Sequence, residues 1–227
     1  MPNDIPAPTV HRLHLATLRV VDTGDWPVHG FVVKHAGGAI LVDTGVGGPD
    51  KLLNDWRAVN RSVADALADI GLAPTDIDLV INTHLHFDHC GQNSVFPHAK
   101  IYVQRAEAER AERESRQLWD WFGFMNARFE LLDGDAEIVP GVRVVATPGH
   151  TVGHQCVMVG QPSAPTDLLI GDAAYTPVYY SDPDYAEENL VPGQAANVAA
   201  WRDSIRRLRA AAPARVHFCH DIAVLHS

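Results

Sequence analysis

Ile77-Asp78-Leu79-Val80-Ile81-Asn82-Thr83-His84-Leu85-His86-Phe87-Asp88-His89 is the stretch on which the fold turns. Its first six residues form an apolar run of strand length, and its last six hold three imidazoles and a carboxylate. Imidazoles crowded together without a partner cost stability through desolvation and repulsion, so such crowding implies an ion that offsets both. The pattern predicts a buried strand whose far end delivers metal ligands to the edge of a sheet. The competing reading is a polar loop that is merely rich in histidine.

The same placement recurs downstream. His150 follows Val142-Arg143-Val144-Val145-Ala146-Thr147 and the breaker Pro148-Gly149; Asp172 follows Leu168-Leu169-Ile170-Gly171; His220 follows Val216-His217-Phe218-Cys219. Any one of these alone reads as an ordinary structural residue. Together with the cluster they predict strand ends converging on one edge, where loops on a rigid scaffold hold catalytic groups. The seven donors divide into two sites: His84, His86 and His150 for one ion, Asp88, His89 and His220 for the other, with the two oxygens of Asp172 bridging them. Imidazole and carboxylate donors suit zinc, and iron, cobalt or manganese also fit such a shell. Two adjacent metals activate a water and polarise a carbonyl or phosphoryl oxygen, so hydrolysis is the expected reaction type.

At 227 residues, 46% of them hydrophobic and 20% charged, the chain has the composition of a globular protein. It reads as one domain over residues 9–227 behind an N-terminal extension of residues 1–8. No run approaches the roughly 18 apolar residues of a membrane span. Met1-Pro2-Asn3-Asp4-Ile5-Pro6-Ala7-Pro8 lacks a basic start and an apolar core, so no secretory signal is expected, and a cytoplasmic location follows as the default. The formal net charge of -10 disfavours phosphate backbones, and nucleic acid is not an expected partner. Cys90, Cys156 and Cys219 make no even disulfide framework. Strand alternation is expected to point Cys219 away from the face that His220 uses, and Cys90 to be a small residue in a turn.

Strands are predicted near Leu13–Val21, Phe31–His35, Ala39–Asp43, Ile77–Asn82, Lys100–Gln104, Phe129–Leu132, Val142–Thr147, His154–Gly160, Asp167–Gly171 and Val216–Cys219. Val63, Leu67 and Ile70 make a helical stripe before a C-capping Gly71, and Val198, Trp201, Ile205 and Leu208 make another. The charged run from Glu107 to Arg116 reads as a solvated helix face, with Glu109/Arg113 and Glu112/Arg116 at i,i+4. Two sheets flanked by helices are expected. The aromatic segment Trp119-Asp120-Trp121-Phe122-Gly123-Phe124-Met125 is either core, a subunit contact or a substrate wall; Trp119 and Phe122, with Phe87, are its candidate pocket residues.

His84-Leu85-His86-Phe87-Asp88-His89, with His150, Asp172 and His220 downstream, resembles the metallo-β-lactamase superfamily, from Leu41-Val42-Asp43-Thr44-Gly45 to His220-Asp221. The resemblance implies an αββα sandwich carrying two divalent metal ions, with zinc the first expectation. Within that superfamily, Val103-Gln104-Arg105, Val139-Pro140-Gly141-Val142, Thr147-Pro148-Gly149-His150-Thr151-Val152-Gly153-His154-Gln155 and Asp172-Ala173-Ala174-Tyr175-Thr176 most resemble N-acyl-homoserine lactonases. In those enzymes a tyrosine three residues after the bridging aspartate reaches the substrate carbonyl, which implies that role for Tyr175; Asp88 is expected to shuttle the proton of the attacking hydroxide to the leaving alkoxide. The implied substrate is a small lactone. A pyridoxolactonase-like lactone hydrolase and a thioester hydrolase stand beside this reading. From another class come a mononuclear iron dioxygenase and a non-catalytic metal-binding protein. Asp43 and His154 are expected either to orient ligands or to be ordinary hydrogen-bonded turn residues.

Overall fold

The computed structural model describes residues 7–20, 24–114, 119, 121, 126–161, 164–191 and 193–226. Strands β1 (Thr9–Val20), β2 (Gly24–His35) and β3 (Gly38–Val42) form an antiparallel meander. Helix α1 (Asp50–Asp55), the short strand β4 (Val59–Asn60) and helix α2 (Val63–Ala68) follow. The chain then crosses to β5 (Ile77–Ile81), which runs parallel to β3. Short helix α3 (Phe87–Cys90), β6 (Lys100–Gln104), helix α4 (Arg105–Glu114) and β7 (Arg128–Leu132) complete a seven-stranded sheet of order β4-β1-β2-β3-β5-β6-β7.

A second sheet is built from β8 (Ala136–Val139), β9 (Val142–Ala146), β10 (Gln155–Gln161), β11 (Ala164–Leu169), β12 (Arg215–His217) and β13 (Val224–His226), in the order β13-β12-β11-β10-β9-β8. Helices α5 (Pro177–Ser181), α6 (Pro183–Glu188) and α7 (Val198–Ala210) lie between β11 and β12 in sequence. The β11–β12 pair is parallel, so the chain makes its crossover through these helices.

Alternation along the strands sorts apolar side chains into three layers. In β3, Ala39 and Leu41 face α2, packing with Val63, Ala66 and Leu67, while Ile40 and Val42 face the other sheet. In β10, Val157 and Val159 meet them between the sheets, while Cys156 and Met158 turn outward beneath Trp201, Ile205 and Leu208 of α7. Helix, sheet, sheet and helix follow in that order, an αββα sandwich. Both helical stripes predicted from the sequence face the core. Gly71 closes α2 at φ +74, with the Leu72 N–H bonded to the Leu67 carbonyl and the Gly71 N–H to the Ala68 carbonyl, a left-handed cap that glycine adopts without a Cβ clash.

The expected strands are present, with differences at the margins. β2 begins at Gly24 rather than Phe31. Pro27 obscures this stretch in the sequence, and it is tolerated because β1 flanks β2 there while β3 pairs only from Phe31 onward. β4, β8 and β13 are short outer strands without the continuous apolar runs of the inner ones. No helix among the described residues is long and apolar enough to cross a membrane.

Candidate active site

The strands deliver the donors to one edge of the sandwich, as their carboxyl ends dictate. β5 runs into Thr83 and the His84–His89 segment, and the loop between β9 and β10 carries His150. β11 runs into the single turn holding Asp172, and β12 leads to His220. Glycine lets the His150 loop pass under α7: a Cβ on Gly149, at φ +149, would sit 2.3–2.6 Å from the Trp201 backbone and Cβ.

Three imidazole nitrogens form a triangle, with His84 Nε2 to His86 Nδ1 at 2.8 Å, His150 Nε2 to His84 Nε2 at 3.2 Å and His150 Nε2 to His86 Nδ1 at 3.1 Å. A tetrahedral zinc with bonds of about 2.0–2.1 Å would set such edges at roughly 3.3 Å. Asp172 Oδ2 lies 3.7 Å from His84 Nε2 and 3.3 Å from His150 Nε2, while Oδ1 lies 3.2 Å from both His89 Nε2 and His220 Nε2. One carboxylate thus offers one oxygen to each donor group. Asp88 Oδ2 stands 3.8 Å from His89 Nε2 and 3.6 Å from His220 Nε2.

The far side of three of the rings is tied down. His89 Nδ1 lies 2.8 Å from Asp43 Oδ2, His220 Nδ1 2.9 Å from the Pro27 carbonyl, and His150 Nδ1 3.1 Å from the Gln194 carbonyl. A proton held on each Nδ1 leaves the Nε2 lone pair aimed inward. Asp43, held at φ +59, also accepts from the Thr83 backbone N–H and hydroxyl, so the ligand-orienting reading of Asp43 fits. His154 Nε2 accepts the Asp172 N–H at 3.1 Å and Nδ1 lies 2.8 Å from Thr147 Oγ1, which anchors the Asp172 turn.

Burial, reinforced by neighbouring imidazoles, holds His84 well below the usual histidine range. Burial and the nearby Arg110 cation lower His86 to about 4, and burial lowers His150 to about 4. These three rings stay neutral, the form that donates to a metal. At His89 and His220 burial pulls the same way, but Asp172 and Asp88 outweigh it and raise both. Buried His89 Nε2 and Asp172 Oδ1 have no hydrogen-bond partner. Orphaned donor atoms converging from several loops fit two divalent cations, whose charge would replace the protons that the carboxylates now favour.

Cys219 departs from expectation: its Sγ falls within 4.8 Å of the donor atoms of His89, Asp172 and His220. β12 stops at His217, so strand alternation no longer governs residues 218–220. The thiol donates to the His29 carbonyl at 3.1 Å, and burial pushes it up. Cys90, also buried, donates to the His86 carbonyl.

Tyr175 is 8% exposed, its ring 5.9 Å from that of His150 and 5.3 Å from that of His220, and its hydroxyl donates to the Gly193 carbonyl at 3.2 Å. Burial and the nearby Asp172 carboxylate push its pKa up, so it stays a proton donor. Phe87 is half-buried against Trp56, ring centroids 5.4 Å apart. Trp119 stacks on Phe129 and packs with Leu85, Val103 and Ala108, while Trp121 is exposed. Phe122 and Phe124 lie outside the described residues.

Three contributors escape sequence reasoning. Trp26 stands edge-on to Tyr175 at 5.1 Å and tilted to His220 at 5.8 Å, but it precedes the expected start of its strand. Gln194 acts partly through its backbone carbonyl, which carries no sequence signal, and its side chain donates to the Asp172 carbonyl. Glu107 belongs to the run expected to be a solvated face. Instead Glu107 is fully buried and Arg110 nearly so, because Arg110, Thr151 and the Leu85 N–H satisfy the carboxylate.

The sequence pattern of the Metallo-beta-lactamase superfamily matches residues 23–220. The chain belongs to that superfamily. An N-acyl homoserine lactonase from a Bacillus species is 32% identical over 225 residues, covering 91% of this chain and 86% of that protein. An N-acyl homoserine lactonase from Bacillus cereus is 31% identical over 214 residues, covering 86% and 82%. Among solved structures, an N-acyl homoserine lactone hydrolase with the product N-hexanoyl-L-homoserine bound at its catalytic metal center superposes with a TM-score of 0.74 at 27% identity, over 96% of this chain and 94% of the other. The αββα sandwich that the two sheets and their flanking helices form is therefore the metallo-beta-lactamase fold.

Proposed function

We propose that this metallo-beta-lactamase chain is a two-metal hydrolase that opens the ring of N-acyl homoserine lactones. The observation that carries the reading is the juxtaposition at Asp172, whose two oxygens address two donor groups while Tyr175, three residues on, stands beside both. Relatives at about 30% identity bear the lactonase name, which supports the choice of substrate.

His84, His86 and His150 would hold one ion, Asp88, His89 and His220 the other, and Asp172 both. Imidazole and carboxylate donors favour zinc. The ions supply Lewis acidity and an activated water at neutral pH. The Tyr175 hydroxyl, protonated and buried, turns from the Gly193 carbonyl to the ring carbonyl and donates to the oxygen as negative charge develops there. Asp88, buried with its Oδ2 3.6 Å from His220 Nε2, accepts the proton of the attacking water and passes it to the departing ring oxygen. Phe87, which packs against the same apolar cluster as Trp119, meets the acyl tail.

A panel of acyl homoserine lactones, other small lactones, thioesters and β-lactams, assayed by acid release with metal-loaded protein, tests the reading. The expected outcome is kcat/KM at least 100-fold higher on acyl homoserine lactones than on thioesters or β-lactams. A preference for another lactone or for a thioester would reassign the substrate.

A further inference from the structure

Resting on the assignment of His84, His86 and His150 as ligands of one ion, we infer that Glu107 is the positioning residue that clamps this three-histidine site together. The two chain segments that supply the imidazoles are far apart in sequence, and the Glu107 carboxylate holds both. Oε1 accepts the N–H of Leu85, the residue between His84 and His86, at 2.9 Å. Oε2 accepts the hydroxyl of Thr151, the residue after His150, at 2.7 Å. Arg110 fixes the carboxylate from the same helix, its Nη2 and Nε 2.6 and 3.2 Å from Oε1, and is itself held by Glu114 at 2.6 Å.

The surroundings enforce the clamp. Glu107 is fully buried, and the His150 loop presses on the start of α4 so closely that a Cβ on Gly153 would meet the Glu107 backbone and Cβ at 2.2–2.6 Å. Glu107 is too short of room to swing away, and its two oxygens set the spacing between the segments. Its charge has a second effect. Arg110 places a cation near His86, and without the carboxylate that charge would repel an incoming metal ion.

Titration of metal-free protein with cobalt(II), followed by visible absorption and by chelator competition, reads the affinity of each ion separately from turnover; a thermal melt of the metal-free protein accompanies it. Glu107→Ala is expected to weaken the three-histidine ion by 10-fold or more, the scale on which groups behind a ligand shell act, and the other ion by less than about 3-fold. Glu107→Gln keeps an acceptor for Leu85 N–H and an amide that donates to Thr151, and should restore most of the affinity. Thr151→Val cuts one arm and should weaken the same ion by about 3-fold or more, so the inference stands or falls on it if the alanine variant does not fold. Wild-type affinities in Glu107→Ala or Thr151→Val would overturn the clamp. So would equal loss of both ions tracking a fall in the metal-free melt, or a Gln variant as damaged as Ala. His84→Ala is the control: if it leaves binding of two ions intact, the ligand assignment fails rather than the role of Glu107.

Discussion

Tyr175 keeps its proton because it is buried beside a carboxylate, and it keeps its place through the Gly193 carbonyl and the edge-on contact with Trp26. Its hydroxyl touches none of the metal donors by hydrogen bond, so its contribution separates from metal binding. Tyr175→Phe should retain two ions per chain and an unchanged melt while kcat falls about 10-fold or more, the order seen when a single oxyanion donor is removed. Elemental analysis beside steady-state kinetics checks this; an unchanged kcat on every lactone cleaved removes Tyr175 from the reaction. At this scale the sequence speaks clearly where chemistry is carried by side chains in unusual company. His84, His86 and His89 are legible because imidazoles packed this closely are rarely stable without an ion between them. Gln194 and Glu107 are not, since one partly works through its main chain and the other sits in a charge run whose ordinary form is a solvated helix.

β11 and β12 illustrate what an element contributes to the site. Asp167 in β11 lies opposite Arg215 in the parallel register and accepts from Arg215 Nε at 2.7 Å and Nη2 at 2.8 Å, with His217 Nε2 at 2.7 Å. The pair splices together the two strands that launch Asp172 and His220. Burial works to raise the Asp167 pKa, but the His217 and Arg215 bonds override it and hold the carboxyl below the ordinary range. The folded value is depressed, so the stabilisation is complete above the unfolded value of about 3.9 and is lost as pH falls toward the folded one. Asp167→Asn should cost about 1–3 kcal/mol at pH 7, toward the lower end because Arg215 is half exposed. Urea melts of metal-free protein should show the gap narrowing below pH 4; equal midpoints at pH 7 would contradict it. Inner strands such as β3, β5 and β10 are readable as apolar runs because both faces are covered. β2 is half hidden by Pro27, and β8 and β13 by the mixed composition that an outer strand tolerates.

Across the whole molecule, two sheets packed face to face bring donors from residues 84 to 220 onto one edge. The order of apolar runs and ligand residues makes this convergence legible in the sequence. The approach of Cys219 and the burial of Glu107 depend on loop paths that no periodicity encodes. The net charge of -10 leaves a neutral, apolar-tailed lactone as a better match than a polyanion. The proposed reaction is attack at the ring ester of such a lactone, with the amide left untouched. Mass spectrometry of an N-acyl homoserine lactone incubated with the metal-loaded protein tests it most directly. The expected result is a single product heavier by one water, the ring-opened N-acyl homoserine, formed with release of one proton per turnover. Free fatty acid with intact homoserine lactone, or no turnover by protein carrying both ions, would contradict it.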